Sequence, residues 1–350
     1  MKVKIKMSEF FLELFSEEIP SKLQVNARKS LLENFQKFFE DNQVSIKGNL
    51  NVFSTPNRLI VYVDKITKKI SKKSEEVRGP NIKAPDEALE GFVRSNNITK
   101  KKVFKKKTDK GEFYFYKKPS QKINTSDLLK ENISDILSNI SWSKSMKWND
   151  FNLFWGRPLK SILSVFDGKK LDFNFHHLKS SNTTFIDKEL EEKKKTFNNF
   201  KSYNSYFKSQ GILIDQEKRK SFISNELIKL SNKKKLKINL KKELLEEITN
   251  IVEKPKILLC EFDKKYLMIP KEILIITMQN HQKYFPTFDK KEDLTNNFFV
   301  VADTKDSKGF VKLGNERVVE ARLSDAEFFW KRNRSQNLVK QISKLKNINY

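Results

Sequence analysis

The sequence has one cysteine and three histidines among its 350 residues. A single thiol excludes an intramolecular disulfide, and the set is too small for a cysteine-rich zinc site. Cys260 lies in the apolar run Ile257–Cys260, where a buried thiol is the ordinary expectation. His176 and His177 are adjacent, so on a strand they would point to opposite faces and could not act together. The sequence therefore predicts no metal site and no Cys–His catalytic pair.

Glycines are few, nine in all, and long apolar runs are missing. Neither a GxxxxGK(S/T) nor a GxGxxG pattern occurs, so no glycine-rich loop is available to cradle phosphates. No stretch approaches the roughly 20 apolar residues of a membrane-spanning helix. The N-terminal residues Met1–Lys6 are basic, but no apolar run of signal-peptide length follows them. We therefore expect a cytoplasmic protein.

Acidic residues are outnumbered: 44 Asp and Glu stand against 70 Lys and Arg, which gives a formal net charge of +26. A field of this sign attracts polyanions, nucleic acid first and anionic membranes second. Compositional drift accounts equally well for part of the lysine excess, because the sequence is also rich in Asn, Ile and Phe. The chain is long enough for two or three domains of the usual size, roughly 100 to 200 residues each.

Helix-like and strand-like runs follow one another without a regular βα repeat, which is typical of an α+β fold. We predict a multi-domain body of mixed, largely antiparallel sheets with packed helices. The pair Asp167-Gly168 predicts a hairpin between two short apolar strands. Apolar residues at nearly helical spacing predict a helix from Leu23 to about Asp41. The runs Ile257–Phe262 and Tyr266–Ile269 predict a second hairpin.

The segment Gly314–Trp330 has the pattern of a capped amphipathic helix. Asn315 stands where an N-cap belongs, and Glu316 puts negative charge in the first turn, where the helix dipole favours it. Apolar residues recur at steps of four, three and four. This stripe predicts a face packed on a core: Val319, Leu323, Ala326 and Trp330.

A neighbouring face of the same helix is polar. Arg322 and Asp325 lie three residues apart, close enough to pair, and Arg317 lies about one turn earlier. By spacing alone, the simpler explanation is a solvated ion pair worth a few tenths of a kcal/mol.

The order GNERVVEARLSDAEFF at Gly314–Phe329 resembles the signature of the β subunit of bacterial tetrameric glycyl-tRNA synthetase, GNERV-x-x-ARL-x-DA-x-FF. Three runs upstream resemble that family's E-x-P, L-x-P-x-E and M-x-x-HQKYF motifs: Glu253–Pro255, Tyr266–Glu272 and Met278–Phe285. Four motifs in family order between Glu253 and Phe329 are hard to obtain by chance.

Weaker resemblances extend over nearly the whole chain. Successive segments are similar to the family's E-E-x-P, TP-R-RL, RGP, GF-x-R, P-K-x-M-R-W and F-x-RP elements: Glu9–Pro20, Thr55–Leu59, Arg78–Pro80, Gly91–Arg94, Trp142–Trp148 and Phe154–Pro158. Asn57 and Lys147 stand where the family usually has arginine, and Lys147 would turn a bidentate phosphate contact into a point-charge contact. Ser181–Phe185 keeps only fragments of the family's T-x-GHRF element.

The resemblance implies a division of labour between subunits. A separate class II α subunit would handle glycine and ATP with Mg, while the β subunit binds tRNA-Gly and completes a heterotetramer of two α and two β chains. No cofactor is then expected in this chain. Family β chains are longer, so the sequence corresponds to their N-terminal portion. The predicted domains are 1–66, a β-α-β-β unit; 67–252, a basic α+β region forming the tRNA-contacting body; and 253–350, an α+β module ending in the GNERV/ARLSDAEFF helix.

Cations within family motifs are the candidates for contacts to RNA phosphates. The predicted tRNA-binding residues are Arg58, Arg78, Arg94, Lys144, Lys147 and Arg157. A second set is predicted to form an ordered polar network: His281, Gln282, Asn315, Arg317, Arg322 and Asp325. A structural hydrogen bond at a helix end accounts for His281 more simply than a general base does, and no catalytic residue is expected.

Two surfaces keep more than one interpretation open. Near the basic run Lys100–Lys107, the rings of Phe113–Tyr116 suit base stacking and buried strand packing equally well. Trp142–Trp148 with Phe154–Pro158 forms either an RNA-contacting or subunit-contacting surface, or a tryptophan core with lysines pointing outward. For the whole chain, the alternative to a synthetase subunit is a non-enzymatic RNA-binding or scaffold protein derived from one.

Overall fold

The computed structural model describes residues 6–72, 74–148, 150–186 and 193–335. In these ranges the strands are β1 (Met7–Ser16), β2 (Leu50–Thr55), β3 (Arg58–Thr67), β4 (Lys69–Lys72), β5 (Glu75–Asn81), β6 (Val103–Thr108), β7 (Gly111–Lys118), β8 (Gln121–Asn124), β9 (Met146–Lys147), β10 (Phe154–Trp155), β11 (Leu159–Phe166), β12 (Lys169–Lys170), β13 (Asn174–Phe175), β14 (Leu178–Lys179), β15 (Thr183–Phe185), β16 (Lys194–Thr196), β17 (Lys237–Ile238), β18 (Lys256–Glu261), β19 (Phe285–Phe288) and β20 (Leu294–Ala302).

The α-helices of the same ranges are α1 (Ser21–Asp41), α2 (Asp86–Ser95), α3 (Thr125–Ser138), α4 (Phe200–Ser209), α5 (Gln216–Lys233), α6 (Lys242–Ile251), α7 (Lys271–Ile276) and α8 (Phe310–Ser335). Two 3₁₀ turns occur at Lys100–Lys102 and Lys264–Met268, and a π-helical turn follows α7 at Thr277–His281. The fold is α+β, as predicted. Among these helices none is both long enough and apolar enough to cross a membrane.

A five-stranded antiparallel sheet, in the order β12-β11-β1-β3-β2, lies at the centre of the N-terminal half. Its middle strand β1 is buried on both faces. Phe10 and Leu12 point into an apolar cluster shared with α1 and α3, whereas Phe11 points the other way and packs with α4. A strand covered on both sides needs a continuous apolar sequence, and Phe10–Phe15 provides one that only Glu13 interrupts.

Two local predictions in this half are confirmed. The helix predicted from Leu23 to about Asp41 is α1, and its apolar stripe is buried against the sheet. The predicted turn joins β11 to β12 through Asp167 and Gly168, whose φ angles are 52° and 75°. These left-handed values are what a type I′ turn requires. The second strand differs from the prediction, because β12 is the polar pair Lys169–Lys170 and not the apolar run that follows it.

The central sheet crosses the domain boundary that we predicted at residue 66. β11, from the region predicted as 67–252, pairs with Phe10–Ser16 of β1 and adds to the sheet of the 1–66 unit. Similarly, β17 of that middle region pairs with β19 of the third unit. Periodicity in a sequence shows which face of a strand is apolar, but it does not show which distant strand will pair with it.

The second half is built on a four-stranded sheet in the order β17-β19-β20-β18. One face packs on α5 and α6 through a cluster that includes Phe285 and Phe299. The other face packs on α7 and α8 through Phe298, Val319 and Leu323. Of the predicted apolar stripe of the last helix, Val319 and Leu323 are confirmed as core residues and Trp330 packs against the same cluster, whereas Ala326 does not belong to it.

Our predicted hairpin between Ile257–Phe262 and Tyr266–Ile269 is wrong. β18 pairs with β20, and the second run is mostly the 3₁₀ turn Lys264–Met268. The Asp263 carboxylate starts that turn by accepting the Lys265 backbone N–H at 2.9 Å. A side chain that bonds its own local backbone competes with strand pairing, which the apolar pattern alone does not reveal.

The start predicted for the last helix is also wrong, because α8 begins at Phe310 rather than after Asn315. The capping acceptor is Asp306, whose carboxylate accepts the backbone N–H groups of Val311 at 3.0 Å and Lys312 at 2.9 Å. Asn315 lies inside the helix, and its side-chain amide donates to the Val311 carbonyl at 2.7 Å.

Candidate nucleic-acid interface

Arg58, one of the predicted RNA contacts, lies in the core, and its side chain is 1% exposed. Its guanidinium is paired with the Glu13 carboxylate and donates to Thr184 Oγ1 at 3.1 Å and to the Phe185 carbonyl at 2.6 Å. A guanidinium enclosed in this way does not reach a phosphate at the surface. We therefore correct the assignment of Arg58 from an RNA contact to a structural residue.

Aromatic rings and a tyrosine complete the enclosure of the Arg58–Glu13 pair. The guanidinium carbon lies 4.6 Å from the Phe15 ring centroid and 4.5 Å from that of Phe207. The Tyr203 hydroxyl donates to the Glu13 carboxylate, and burial raises the pKa of Tyr203 far above its usual value. The tyrosine therefore stays a donor at any physiological pH. Glu13 was missed from the sequence, although one acidic residue inside an otherwise apolar strand indicates a paired, buried charge.

The Arg58 contacts also show where the altered family element lies. Ser181–Phe185, which keeps only fragments of T-x-GHRF, includes β15 and provides both the Thr184 and the Phe185 acceptors. This segment is held against the central sheet by Arg58.

A second buried arginine, Arg219 of α5, joins the central sheet to the helices of the second half. It is fully buried and donates to the carbonyls of Thr249 at 2.8 Å and Ser54 at 2.9 Å. Burial lowers the pKa of Arg219 to about 10, so it remains charged at neutral pH. Because its acceptors come from two separate parts of the chain, Arg219 fixes their relative positions.

Two other predicted contacts, Arg78 and Arg94, lie exposed on a small unit that we call the basic module, residues 75–118. It consists of the three-stranded sheet β5-β7-β6 and helix α2. Arg78 is on β5, with its guanidinium carbon 3.5 Å from the Phe113 ring centroid. Arg94 is in the last turn of α2, where its positive charge complements the helix dipole.

The remaining predicted contacts surround the β9–β10 hairpin. Lys144 and Lys147 are exposed, and Lys147 pairs across the hairpin with Phe154. Arg157 is half-buried, with its Nε donating to the Glu18 carbonyl at 3.2 Å. The two lysines are therefore freely available to an anion, whereas Arg157 is already engaged with the backbone.

The tryptophans beneath this hairpin are packing residues. Trp155 is 1% exposed, and its ring centroid lies 5.1 Å from that of Trp142. Trp148 donates its indole N–H to the Trp155 carbonyl at 2.9 Å. Gly156 has no room for a side chain, since a Cβ there would lie 2.6 Å from the Trp142 ring. The tryptophans of this segment therefore pack on the core, as one of the two interpretations predicted, while Lys144 and Lys147 point outward and the contact with RNA or a subunit stays a prediction.

The polar network predicted around the last helix is assembled only in part. The Tyr284 hydroxyl donates to Asn315 Oδ1 at 2.6 Å, and burial raises the pKa of Tyr284 to about 12. The other members of the set have no side-chain hydrogen bond or ion pair within the described residues: His281, Gln282, Arg317, Arg322 and Asp325. Gln282 is half-buried and the other four are exposed. Arg322 and Asp325 thus do not pair in this structure.

A contact that the sequence reasoning missed joins the same helix to the sheet. The Glu316 carboxylate accepts the Glu261 backbone N–H at 2.9 Å and lies 3.5 Å from the Lys312 ammonium. The prediction that Glu316 lies in the first turn of the helix is wrong, because α8 begins at Phe310 and its first turn has no acidic residue. The signal in the sequence was weak, because nothing in the spacing connects α8 to β18.

Across residues 6–72, 74–148, 150–186 and 193–335, no group of three or more His, Cys, Asp or Glu side chains could hold a metal ion. Cys260 is buried as predicted, and burial raises the pKa of its thiol to about 12. The thiol is therefore protonated and unreactive at neutral pH.

A cavity of 670 Å³ lies where the two halves of the chain meet, beside the Glu253–Pro255 motif. Lys254, Lys256 and Lys305 line it together with Asp303 and Asp306. Both carboxylates accept backbone N–H groups: Asp303 from Glu253 and Lys254, and Asp306 from Val311 and Lys312. These hydrogen bonds stabilise the negative charges at the edge of the cavity.

Comparisons with known proteins agree with the motifs. A family model described as glycyl-tRNA synthetase beta subunit matches residues 10–350. The glycine–tRNA ligase beta subunit of Rickettsia felis is 35% identical over 347 residues, which cover 98% of this chain and 52% of that protein. That of Rickettsia canadensis is 36% identical over 340 residues, 97% of this chain and 51% of that protein.

The glycine–tRNA ligase beta subunit of Rickettsia prowazekii is 35% identical over 343 residues, 98% of this chain and 51% of that protein. The chain spans about half the length of the curated relatives it matches, and the matched part begins near their N-termini. Since the family model covers nearly every residue, the resemblance seen in the motifs is confirmed, and the chain belongs to the glycyl-tRNA synthetase beta subunit family.

Proposed function

We propose that the chain serves as the N-terminal part of the β subunit of glycine–tRNA ligase, binds tRNA-Gly and assembles with a separate α subunit. In this proposal two α and two β chains form the enzyme. The class II α subunit binds glycine and ATP with Mg, and it forms the aminoacyl bond. No residue of the present chain acts as an acid, base or nucleophile. The single observation that carries the proposal is the family match over residues 10–350.

The charge distribution supports tRNA as the ligand. Arg78, Arg94, Lys144 and Lys147 are exposed, and no carboxylate in the described ranges lies within ion-pair distance of them. Cations without internal partners are available to phosphates, and each contact releases counterions from the nucleic acid. The net charge of +26 adds long-range attraction to this local binding. Because tRNA is charged in the cytoplasm, we propose that location for the chain.

The proposal is tested by measuring tRNA-Gly affinity as a function of salt. The double variant Lys144→Ala/Lys147→Ala removes two exposed cations from the β9–β10 hairpin. Each lost phosphate contact lowers the slope of log affinity against log salt by roughly 0.7 to 0.9, so the slope should fall by about 1.5. Lys22→Ala/Lys37→Ala is the matched control, because these lysines are exposed on α1 and, like Lys144 and Lys147, have no carboxylate partner among the described residues.

Two outcomes would count against the proposal. An unchanged slope in the hairpin variant, or an equal fall in the control, would show that Lys144 and Lys147 are not specific contacts. Equal affinity for tRNA-Gly and for unrelated RNA of the same length would favour the alternative, a non-enzymatic RNA-binding or scaffold protein derived from a synthetase subunit.

A further inference from the structure

One face of the basic module carries aromatic and cationic side chains in an ordered arrangement. Strand register places Arg78 of β5 and Phe104 of β6 on either side of Phe115 in β7. Lys106 lies opposite Phe113, two residues along each strand. Residues that are directly opposite or two apart share one face of a sheet, so these five side chains form a single surface. We call it the aromatic face.

The rings of the aromatic face are accessible at its edges. Phe115 is the buried member of the face, at 7% exposed. The neighbouring Phe104 is 38% exposed, and its ring centroid lies 6.2 Å from that of Phe115. The Arg78 guanidinium lies over the Phe113 ring at 3.5 Å. Lys106 Nζ is 5.6 Å from the Phe115 centroid and also pairs with Glu76, the one carboxylate in ion-pair contact with this face among the described residues.

Two side chains of this face are open to a ligand, since Arg78 is exposed and Phe104 is 38% exposed. None of its aromatic residues belongs to the four apolar clusters that form the interior. Helix α2 packs against β5, where the Phe92 ring occupies the space that a Cβ on Gly79 would need, 2.9 Å away.

The charge around the aromatic face selects the kind of partner. Six lysines occur at Lys100–Lys102 and Lys105–Lys107, next to Arg78 and Arg94. Within the described ranges only Lys100 and Lys106 have a carboxylate partner, Glu90 and Glu76. The remaining cations need external anions, which excludes a purely apolar protein segment as the natural occupant. Positive charge beside accessible π surfaces is the combination that single-stranded nucleic acid binds.

We propose that the aromatic face binds unpaired nucleotides of RNA. One base stacks on the exposed Phe104 ring and a second stacks on the outer side of the Arg78 guanidinium. Lys106 lies on the same face and exchanges its Glu76 partner for the intervening phosphate. Bases inside a duplex have both faces occupied, so this surface distinguishes unpaired from paired RNA. The inference rests on the proposed function and deepens it, because it assigns the unpaired part of the tRNA to the basic module.

The test compares two RNA probes on the full 350-residue chain. A mixed-sequence 12-nucleotide single strand and a blunt duplex of the same sequence are titrated by fluorescence anisotropy. The variant Phe104→Leu/Phe113→Leu keeps apolar side chains but removes two rings. It should weaken single-strand binding about tenfold, since stacking on one aromatic ring is worth on the order of 1 to 3 kcal/mol per base, and should leave duplex binding within twofold.

A matched control comes from strand alternation. Tyr114 is as partly buried as Phe113 but lies on the opposite face, so Tyr114→Leu should leave both affinities unchanged. Arg78→Lys keeps the charge and removes the planar group, so it should also weaken the single strand selectively. If circular dichroism shows that the Phe104→Leu/Phe113→Leu variant is misfolded, the binding test is replaced by photo-crosslinking of a 5-iodouridine-containing single strand to the unaltered chain. Crosslinks to β5, β6 or β7 support the proposal, and crosslinks confined to other elements overturn it.

A final comparison identifies the source of the unpaired bases. tRNA-Gly that lacks its unpaired 3′ nucleotides, and tRNA-Gly with a paired anticodon arm, are each measured against intact tRNA-Gly. If the unaltered chain binds one of these two altered tRNAs more weakly than intact tRNA-Gly, and the Phe104→Leu/Phe113→Leu variant does not distinguish them, the altered bases are those that occupy the face. The inference is refuted if Tyr114→Leu weakens single-strand binding as much as the double variant does, or if the chain shows no preference for single strands. Tight and specific binding of tRNA-Gly in the same experiments would still support the proposed function.

Discussion

Replacing Arg58 by methionine should destabilise the protein more than any single change at its surface. Methionine keeps a flexible apolar stem but removes the guanidinium, and it leaves Glu13 inside the core. Glu13 and Arg58 are 0% and 1% exposed, so no water is at hand to replace the lost partner. Among the residues that the structure describes, only the Tyr203 hydroxyl would still donate to the carboxylate.

The magnitude follows from the loss of one partner in a buried pair. Such changes cost about 3–5 kcal/mol, because an uncompensated charge remains in a medium of low dielectric. Whole domains are stable by only about 5–15 kcal/mol, so this loss is a large fraction of the total. Replacing both residues, as Arg58→Met/Glu13→Leu, removes the orphaned charge along with the pair. It should therefore recover at least about 1 kcal/mol relative to Arg58→Met alone.

The assay is urea unfolding followed by far-ultraviolet circular dichroism, with the midpoint and slope compared across variants. Arg78→Met is the matched control, since the same replacement at an exposed position should change the free energy of unfolding by no more than about 0.5 kcal/mol. The reasoning fails if Arg58→Met lies within 1 kcal/mol of the unaltered chain. It also fails if the double variant is less stable than the single one.

Two further changes test the packing of other family motifs. Gly156→Ala places a Cβ 2.6 Å from the Trp142 ring, so we expect the free energy of unfolding to fall by about 1–3 kcal/mol and the tryptophan emission to shift. An unaltered spectrum and unaltered stability would contradict the contact. Asp306→Ala removes the acceptor for the backbone N–H groups of Val311 and Lys312, and should cost about 1 kcal/mol in urea unfolding, whereas Asp306→Asn should cost less; equal losses would argue against capping.

Local features of this fold were predictable wherever neighbouring residues determine them. The apolar spacing identified Val319, Leu323 and Trp330 as the face of α8 that packs on the core, and Asp167-Gly168 identified a turn. The start of α8 was not predictable from the family motif, because Asp306, the residue that caps the helix, precedes that motif. Motif boundaries reflect what a family shares and need not coincide with the ends of an element.

The roles of the cationic residues were only partly predictable. Arg58 and Arg78 both occur in family motifs, yet one is enclosed by Glu13 and two aromatic rings and the other is exposed. What separates them is pairing between distant strands, which brings β1, β3 and β15 together around Arg58. Such long-range contacts leave no local signal, so a resemblance can show that an arginine matters without showing where it lies.

The same limitation applies to the ring-bearing strand of the basic module. Sequence alone could not decide between stacking and packing for Phe113–Tyr116. In the structure Phe115 and Tyr116 are buried at 7% and 9%, while Phe113 and Tyr114 remain half-exposed. The inner pair holds the sheet together, and Phe113 with Arg78 contributes to the face that we assign to unpaired RNA.

The most direct test of the central claim is an affinity pull-down of the 350-residue chain from an extract of its own cells, washed at moderate salt, with bound proteins and RNAs identified. The account predicts recovery of a class II synthetase α subunit in stoichiometric amount, with tRNA-Gly enriched over other tRNAs. Mixed RNA that washes away as the salt is raised, with no α subunit retained, would contradict the claim that this chain acts as a synthetase subunit.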